Sequence, residues 1–304
     1  MVGTDPPVGA SVRLPAYPEP AVVEISNPDG AVTVRLPCRL APDAVKLVEA
    51  EATVSYMRSR GVTRLYVLGD VSVFDAAIAQ LVANDAPMAG ITVVGLLQSV
   101  DTQTNTEPQG YQQIATGVAA TRPDAVLLGA TPGVGAIALW RELHTMLPRA
   151  KLFAPSTLAT PAFLAAVAKA GGICTNPQGR SLGCRSAAAA TYVTSPILEP
   201  GQYPPAAAAV LRAYHRRFGT TASAYALYGY SAMEDILSAI RLAGRRATDR
   251  TVLLDVFFHH LGLIHGVIGN YTIDGHGDSS LRTFDGYRVS AQGGLVLKRE
   301  IRLP

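Results

Sequence analysis

The most constraining feature of the chain is a regular alternation of short apolar runs with helical patterns between residues 63 and 170. TRLYVLG (63–69), ITVVGLL (91–97), AVLLG (125–129) and KLFAP (151–155) are rich in Val and Leu. Each precedes a helical pattern, spanning 73–84, 108–120, 133–146 and 160–170 in turn. Runs that are apolar throughout fit strands buried on both faces of a sheet. Four β–α units in succession require parallel strands joined by right-handed crossovers, which predicts a Rossmann-like α/β architecture.

The flanks obey other rules. The first twenty residues are rich in Pro and Gly and predict irregular structure, followed by a β-like run, AVVEIS (21–26), that stops at the turn residues Asn27-Pro28-Asp29-Gly30. A helix is expected over 42–60, with Val45, Val48, Ala52, Val54 and Met57 on one face. TYVTSP (191–196) is a further strand, and helices are expected over 204–218, 222–244 and 249–261. GNYTID (269–274) and a hairpin across Gln292-Gly293-Gly294 end the chain in β structure.

Composition excludes several classes. Charged residues make up 16% of the 304 residues and apolar ones 48%, enough apolar surface for a large core and too much for disorder. The net charge of +3 is mild, and Arg216–Arg217 and Arg245–Arg246 each end an expected helix, where cations complement the dipole. Nucleic-acid binding is not expected, and neither is membrane insertion, because no apolar run of roughly 18 residues occurs. The N-terminus has no basic start followed by an apolar stretch, so no signal peptide is read and the chain as written is cytoplasmic.

The strand ends carry small hydroxyl residues: Ser72 after the first strand of the alternation, Thr131-Pro132 after the third, and Ser156-Thr157 after the fourth. Ligands in open α/β sheets bind outside the carboxyl ends of the strands, so these residues are candidate contacts as well as candidate helix caps. Gly129-Ala-Thr-Pro-Gly133-Val-Gly135 comes after a strand and opens a helix, but Ala138 stands where a dinucleotide loop needs glycine. No phosphate loop, nucleophile elbow or zinc-protease motif is present, so neither cofactor nor catalytic residue is expected. His259, His260 and His265 read as surface histidines rather than a metal cluster, and Asp274–Asp278 as a tight turn rather than a calcium loop. Cys174 and Cys184 bracket a Gly- and Ser-rich loop and form either a small disulfide ring or two separate thiols, with Cys38 left over.

Several segments, in order, resemble a known family. Cys38-Arg39-Leu40-Ala41-Pro42-Asp43 leads into a long helix, followed by GVTRLYVLGDVSVFDAAIA, PDAVLLGATPGVGAIALWRE, KLFAPSTLAT and AYHRRFGTTASAYALYGYSAMEDILSAIRLAG, then a Gly/Asp-rich stretch into a hairpin. Together they resemble the type I periplasmic binding proteins that deliver branched-chain amino acids to ABC transporters. The resemblance implies one complete parallel-sheet lobe plus a partial second lobe. The implied units are 1–41 (irregular segment and remnant of lobe I), 42–194 (lobe II), 195–280 (helical part of lobe I) and 281–304 (hairpin returning to lobe II). It further implies an interlobe cleft for a small polar solute, an ABC permease as partner, an extracytoplasmic setting and no catalysis. A ligand-sensing regulatory module of the same fold is the alternative, and a Rossmann-type enzyme the third.

Carried over residue by residue, the resemblance places Phe74 at an aromatic cleft position, with Asp75 where the family has glycine. It puts a contact at Thr131 or Pro132 and an aromatic one at Tyr230. The acidic partner of an amino-acid ammonium falls near Ser156, which carries no charge, so the expected cleft is uncharged and holds free amino acids poorly.

Overall fold

A computed structural model of the chain describes residues 11–13, 22–27, 30–35, 44–103, 108–169, 186–222, 225–275 and 277–304, with side chains from 47 onward except at 108. All three cysteines lie outside the described residues, and with them the choice between a disulfide and separate thiols at Cys174 and Cys184.

Near the N-terminus, β1 (Ser11–Arg13), β2 (Val22–Asn27) and β3 (Gly30–Arg35) form an antiparallel sheet in which Val12 pairs with Ile25 and Val23 with Val34. The sequence pattern predicts only β2 of these three. GAVTVR alternates as a strand should, and a second strand lets the backbone groups of the first find partners.

The main sheet has seven strands. Helix α1 (Ala44–Ser59) leads to β4 (Arg64–Asp70), α2 (Val73–Asp85), β5 (Thr92–Val100), α3 (Pro108–Ala120), β6 (Ala125–Gly129), α4 (Val134–Met146), β7 (Lys151–Ala154) and α5 (Pro161–Lys169). The one-turn α6 (Ala187–Ala190) then feeds β8 (Thr191–Ser195). The alternation expected from sequence is therefore present, with boundaries displaced by at most a few residues. Strands β4 to β8 are mutually parallel. Alternate residues of each strand face opposite cores: Val126 and Leu128 join Trp140 and Phe163 under α3, α4 and α5, while Ala125 and Leu127 join Tyr56 and Ile78 under α1 and α2.

The strand order in this sheet is β12-β11-β8-β7-β6-β4-β5. From β4 the chain goes first to β5 on one side and then to β6 on the other, so the carboxyl ends of β4 and β6 flank a topological switch point. That is where an open α/β sheet leaves a crevice.

Beyond β8 the chain is helical, with α7 (Pro205–Phe218), α8 (Ala226–Ala243) and α9 (Arg250–His259). Two short strands, β9 (Ile264–Gly266) and β10 (Gly269–Tyr271), pair with each other. The chain then returns to the main sheet as the hairpin β11 (Thr283–Val289) and β12 (Leu295–Arg302), with β11 antiparallel to β8. Among the described residues no helix is long and apolar enough to cross a membrane.

Candidate functional site

At the switch point the chain gathers carboxylates and hydroxyls. Asp70, the last residue of β4, is fully buried. Its Oδ1 accepts the Ser72 amide at 2.8 Å, and its Oδ2 accepts the Thr131 amide at 2.8 Å and the Thr102 hydroxyl at 3.0 Å. One carboxylate thus ties together the loops after β4, β5 and β6.

Ser72 caps α2: its oxygen accepts the Asp75 amide at 3.4 Å and its hydroxyl donates to Asp75 Oδ2 at 3.1 Å. The acid stands three residues after the cap, the spacing of a capping box, with the carboxylate here engaging the hydroxyl of the capping serine. Asp75 receives two more hydroxyls, from Thr131 on Oδ2 at 3.1 Å and from Thr157 on Oδ1 at 2.7 Å. Three hydroxyl donors from three loops therefore converge on one buried carboxylate. Burial raises the Asp75 pKa above the usual carboxylate value, the three hydroxyl bonds oppose that rise, and the charge of Asp70 adds to it.

Glu49 of α1 completes the group. It is buried, and its carboxylate accepts both the Ser156 amide at 2.6 Å and the Ser156 hydroxyl at 3.0 Å. Burial lifts its pKa from 4.5 to about 7, against the lowering effect of the two Ser156 bonds and with a further push from Asp75. The ring of Tyr225, which caps α8, lies beside both Ser156 and Glu49.

Two glycines let these parts approach. A Cβ on Gly129 would stand 2.6 Å from the Asp75 carbonyl oxygen, and one on Gly135 would stand 2.4 Å from that of Thr102. The glycines of the 129–135 segment thus serve close packing of α2 and α4 against the loops, which explains a glycine-rich turn that lacks the dinucleotide pattern.

Of the residues singled out from sequence, Ser72, Thr131, Ser156 and Thr157 come together here, all as hydroxyl partners of carboxylates. Pro132 is exposed on the loop beside Thr131. Phe74 packs against the core under α1 and α2. Tyr230 donates to Glu234 one helical turn along α8 and makes no hydrogen bond to this cluster. Tyr225, five residues before it, is the α8 aromatic that reaches the cluster. Where the resemblance calls for an acid and the sequence has Ser156, the fold brings in the carboxyl group of Glu49 from α1.

Sequence reasoning did not single out Glu49 or Asp75 as site residues. The pattern Ser72-x-x-Asp75 before a helix could have flagged Asp75 as a capping acid. For Glu49 the only signal is a carboxylate on a helix otherwise rich in Val and Ala. Its partner is 107 residues away.

The fold is shared with solute-binding proteins of known structure. A family model described as periplasmic binding protein matches residues 40–279. The chain belongs to that family. Similar solved structures include a leucine-binding protein from Thermotoga maritima, at 20% identity and a TM-score of 0.63, covering 84% of this chain and 65% of that one. A solute-binding protein of an ABC transporter from R. palustris, solved with benzoate, is 13% identical with a TM-score of 0.62, over 83% of this chain and 62% of that one. A leucine-, isoleucine-, valine-, threonine- and alanine-binding protein from Brucella ovis is 14% identical with a TM-score of 0.62, over 87% and 69%. At these identities the likeness establishes the type I fold. The chain spans somewhat under two thirds of the length of the first two of these relatives. Among curated proteins no sequence match was found.

Proposed function

We propose that this chain is a solute-binding protein of an ABC-type importer, working outside the cytoplasm and holding a small polar ligand at the carboxyl ends of β4, β6 and β7. The observation that carries this reading is the convergence of the Ser72, Thr131 and Thr157 hydroxyls on buried Asp75. Such a network holds its loops in one arrangement before any ligand arrives, which reduces the ordering cost of binding. The hydroxyls spend their protons on a carboxylate and are not paired with a histidine base, which supports binding rather than turnover.

Glu49 and Asp75 give the crevice acidic groups with acceptor oxygens. That favours a ligand that brings hydrogen-bond donors, such as an amino acid or a related amide, over a bare carboxylate such as benzoate. Residues 42–194 with 281–304 form one lobe in this reading, 195–280 belong to the facing lobe with 1–41 before them, and closure of the two completes the site.

A thermal-shift screen of amino acids, their amides and small carboxylic acids tests the proposal. At a hundredfold excess over the dissociation constant, a specific ligand adds about 2.7 kcal/mol, an upward shift of about 4 °C for a chain of this size. Thr157→Val and Asp75→Asn should abolish that shift. No response to any compound of the three classes, in the full chain at neutral pH, rejects the reading.

A further inference from the structure

A second concavity lies between the helical part of the chain and the sheet, bounded by α8, α9, the β9–β10 turn and the ends of β8, β11 and β12. Its volume is about 820 Å³, within the range typical of small-molecule sites. Its wall is unusually aromatic: Tyr203, Tyr225, Tyr228, Tyr271, Phe257 and Phe284 all line it.

The rings are held from behind. The Tyr228 hydroxyl donates to the Pro196 carbonyl, and the Tyr203 hydroxyl accepts the Leu198 amide at 2.9 Å. Tyr271 donates to Asp235 Oδ2 at 2.8 Å. These bonds anchor three of the four tyrosines to fixed partners and leave the ring bodies as wall.

The charge of the lining is unbalanced. Asp235 is only 6% exposed, and among the described residues it has no cationic partner. The other charged pair of the wall neutralises itself, since Arg302 holds Glu300 through Nε at 2.7 Å and Nη2 at 2.6 Å. Beside Asp235 on the same helix face, the Ser231 hydroxyl is 2% exposed and makes no well-formed hydrogen bond. Its polar neighbour is the Tyr271 hydroxyl, which donates to Asp235 and whose oxygen is still open to the Ser231 proton. A buried carboxylate without a counter-charge is unfavourable, and the Tyr271 hydroxyl offsets only part of that. That deficit would be met by an occupant carrying positive charge.

We infer that this cavity is a second ligand site, adjoining the Asp75 crevice through Tyr225, and that it takes a small organic cation. The aromatic wall suits the apolar body of an alkyl- or arylammonium ion and adds cation–π attraction, Asp235 supplies the counter-charge, and Ser231 a polar contact. An anion would meet the uncompensated carboxylate, and a neutral apolar molecule would leave Asp235 as it is.

Isothermal titration of the full chain with choline and with 3,3-dimethyl-1-butanol, its uncharged carbon isostere, reads the charge requirement directly. Choline should bind at least tenfold more tightly than the isostere, and Asp235→Asn should reduce choline to the isostere's level. Should that variant fail to fold, Tyr228→Leu should weaken choline by a factor of several, and the wild-type comparison stands without either. Equal affinity for choline and the isostere, no detectable choline binding, or choline displaced by a solute of the Asp75 crevice would each overturn the inference.

Discussion

The sheet region and the helical region of this chain solve the problem of burial in opposite ways. In the sheet region, two large cores flank the strands, and the biggest side chains, including Trp140, Tyr56 and Phe153, are essentially inaccessible. In the helical region the only core cluster among the described residues is Ala207, Leu227 and Val267. Helix α8 shows the contrast most clearly. It buries Leu227, Ser231, Asp235 and Ala239, and turns Met233, Ile236, Leu237 and Ile240 toward solvent. The exposed residues have the spacing that normally marks a core-facing stripe. The two regions teach that a helix can carry the right apolar period and still not contribute it to a core. Stability in this chain is therefore concentrated in the sheet.

The largest test of that contrast is Trp140→Ala. The indole packs edge-on against Phe163 and donates to Thr191 Oγ1 at 3.0 Å, so its loss should cost about 3–5 kcal/mol. Leu227→Ala, in the small cluster, should cost about 2 kcal/mol, at the low end for such a truncation, because its surroundings can relax. Chemical denaturation of both variants checks the pair, and equal costs would erase the difference between the regions.

Next in size is a pH effect specific to the sheet region. The folded-state pKa of Glu49, about 7, lies above its ordinary 4.5, so the folded state holds the extra proton between those values. Its contribution is complete below pH 4.5 and is lost as pH rises through 7, by roughly 3 kcal/mol at most. Asp75 shifts in the same direction. Denaturation midpoints measured from pH 5 to 8 should fall, and Glu49→Gln should flatten the curve. A flat wild-type curve would show that Glu49 titrates as an exposed acid.

The smallest effect is expected on the outer stripe of α8. Met233→Ser and Ile236→Ser remove exposed apolar groups and should move stability by no more than about 0.5 kcal/mol. Hydrogen exchange should in turn show α7, α8 and α9 opening at lower free energy than β6 and β7. Comparable protection in both regions would mean that the helices draw on packing beyond the three-residue cluster.

Much of the fold is legible in the sequence. The inner strands β6 and β7 announce themselves because a strand covered on both faces reads as a near-continuous apolar run, as AVLLG and LFA do. The hydroxyl residues at strand ends are legible too, since α/β sheets bind at that edge. Less legible is what those hydroxyls do. Thr157 bonds a carboxylate 82 residues away, and such a pairing obeys no local period.

By itself, then, the amino-acid order determined the alternation of elements, the parallel sense of the sheet and the sheet edge at which the hydroxyl residues gather. Those properties rest on periodicity and crossover handedness, which are local. Only the tertiary structure decided that the strand-end hydroxyls meet the carboxyl groups of Asp75 and Glu49. It likewise decided that α8 turns its polar side inward, with Asp235 and Ser231 against a wall of tyrosines. Both outcomes depend on which distant surfaces meet, and burial then gives a carboxylate a character that its neighbours in sequence do not predict.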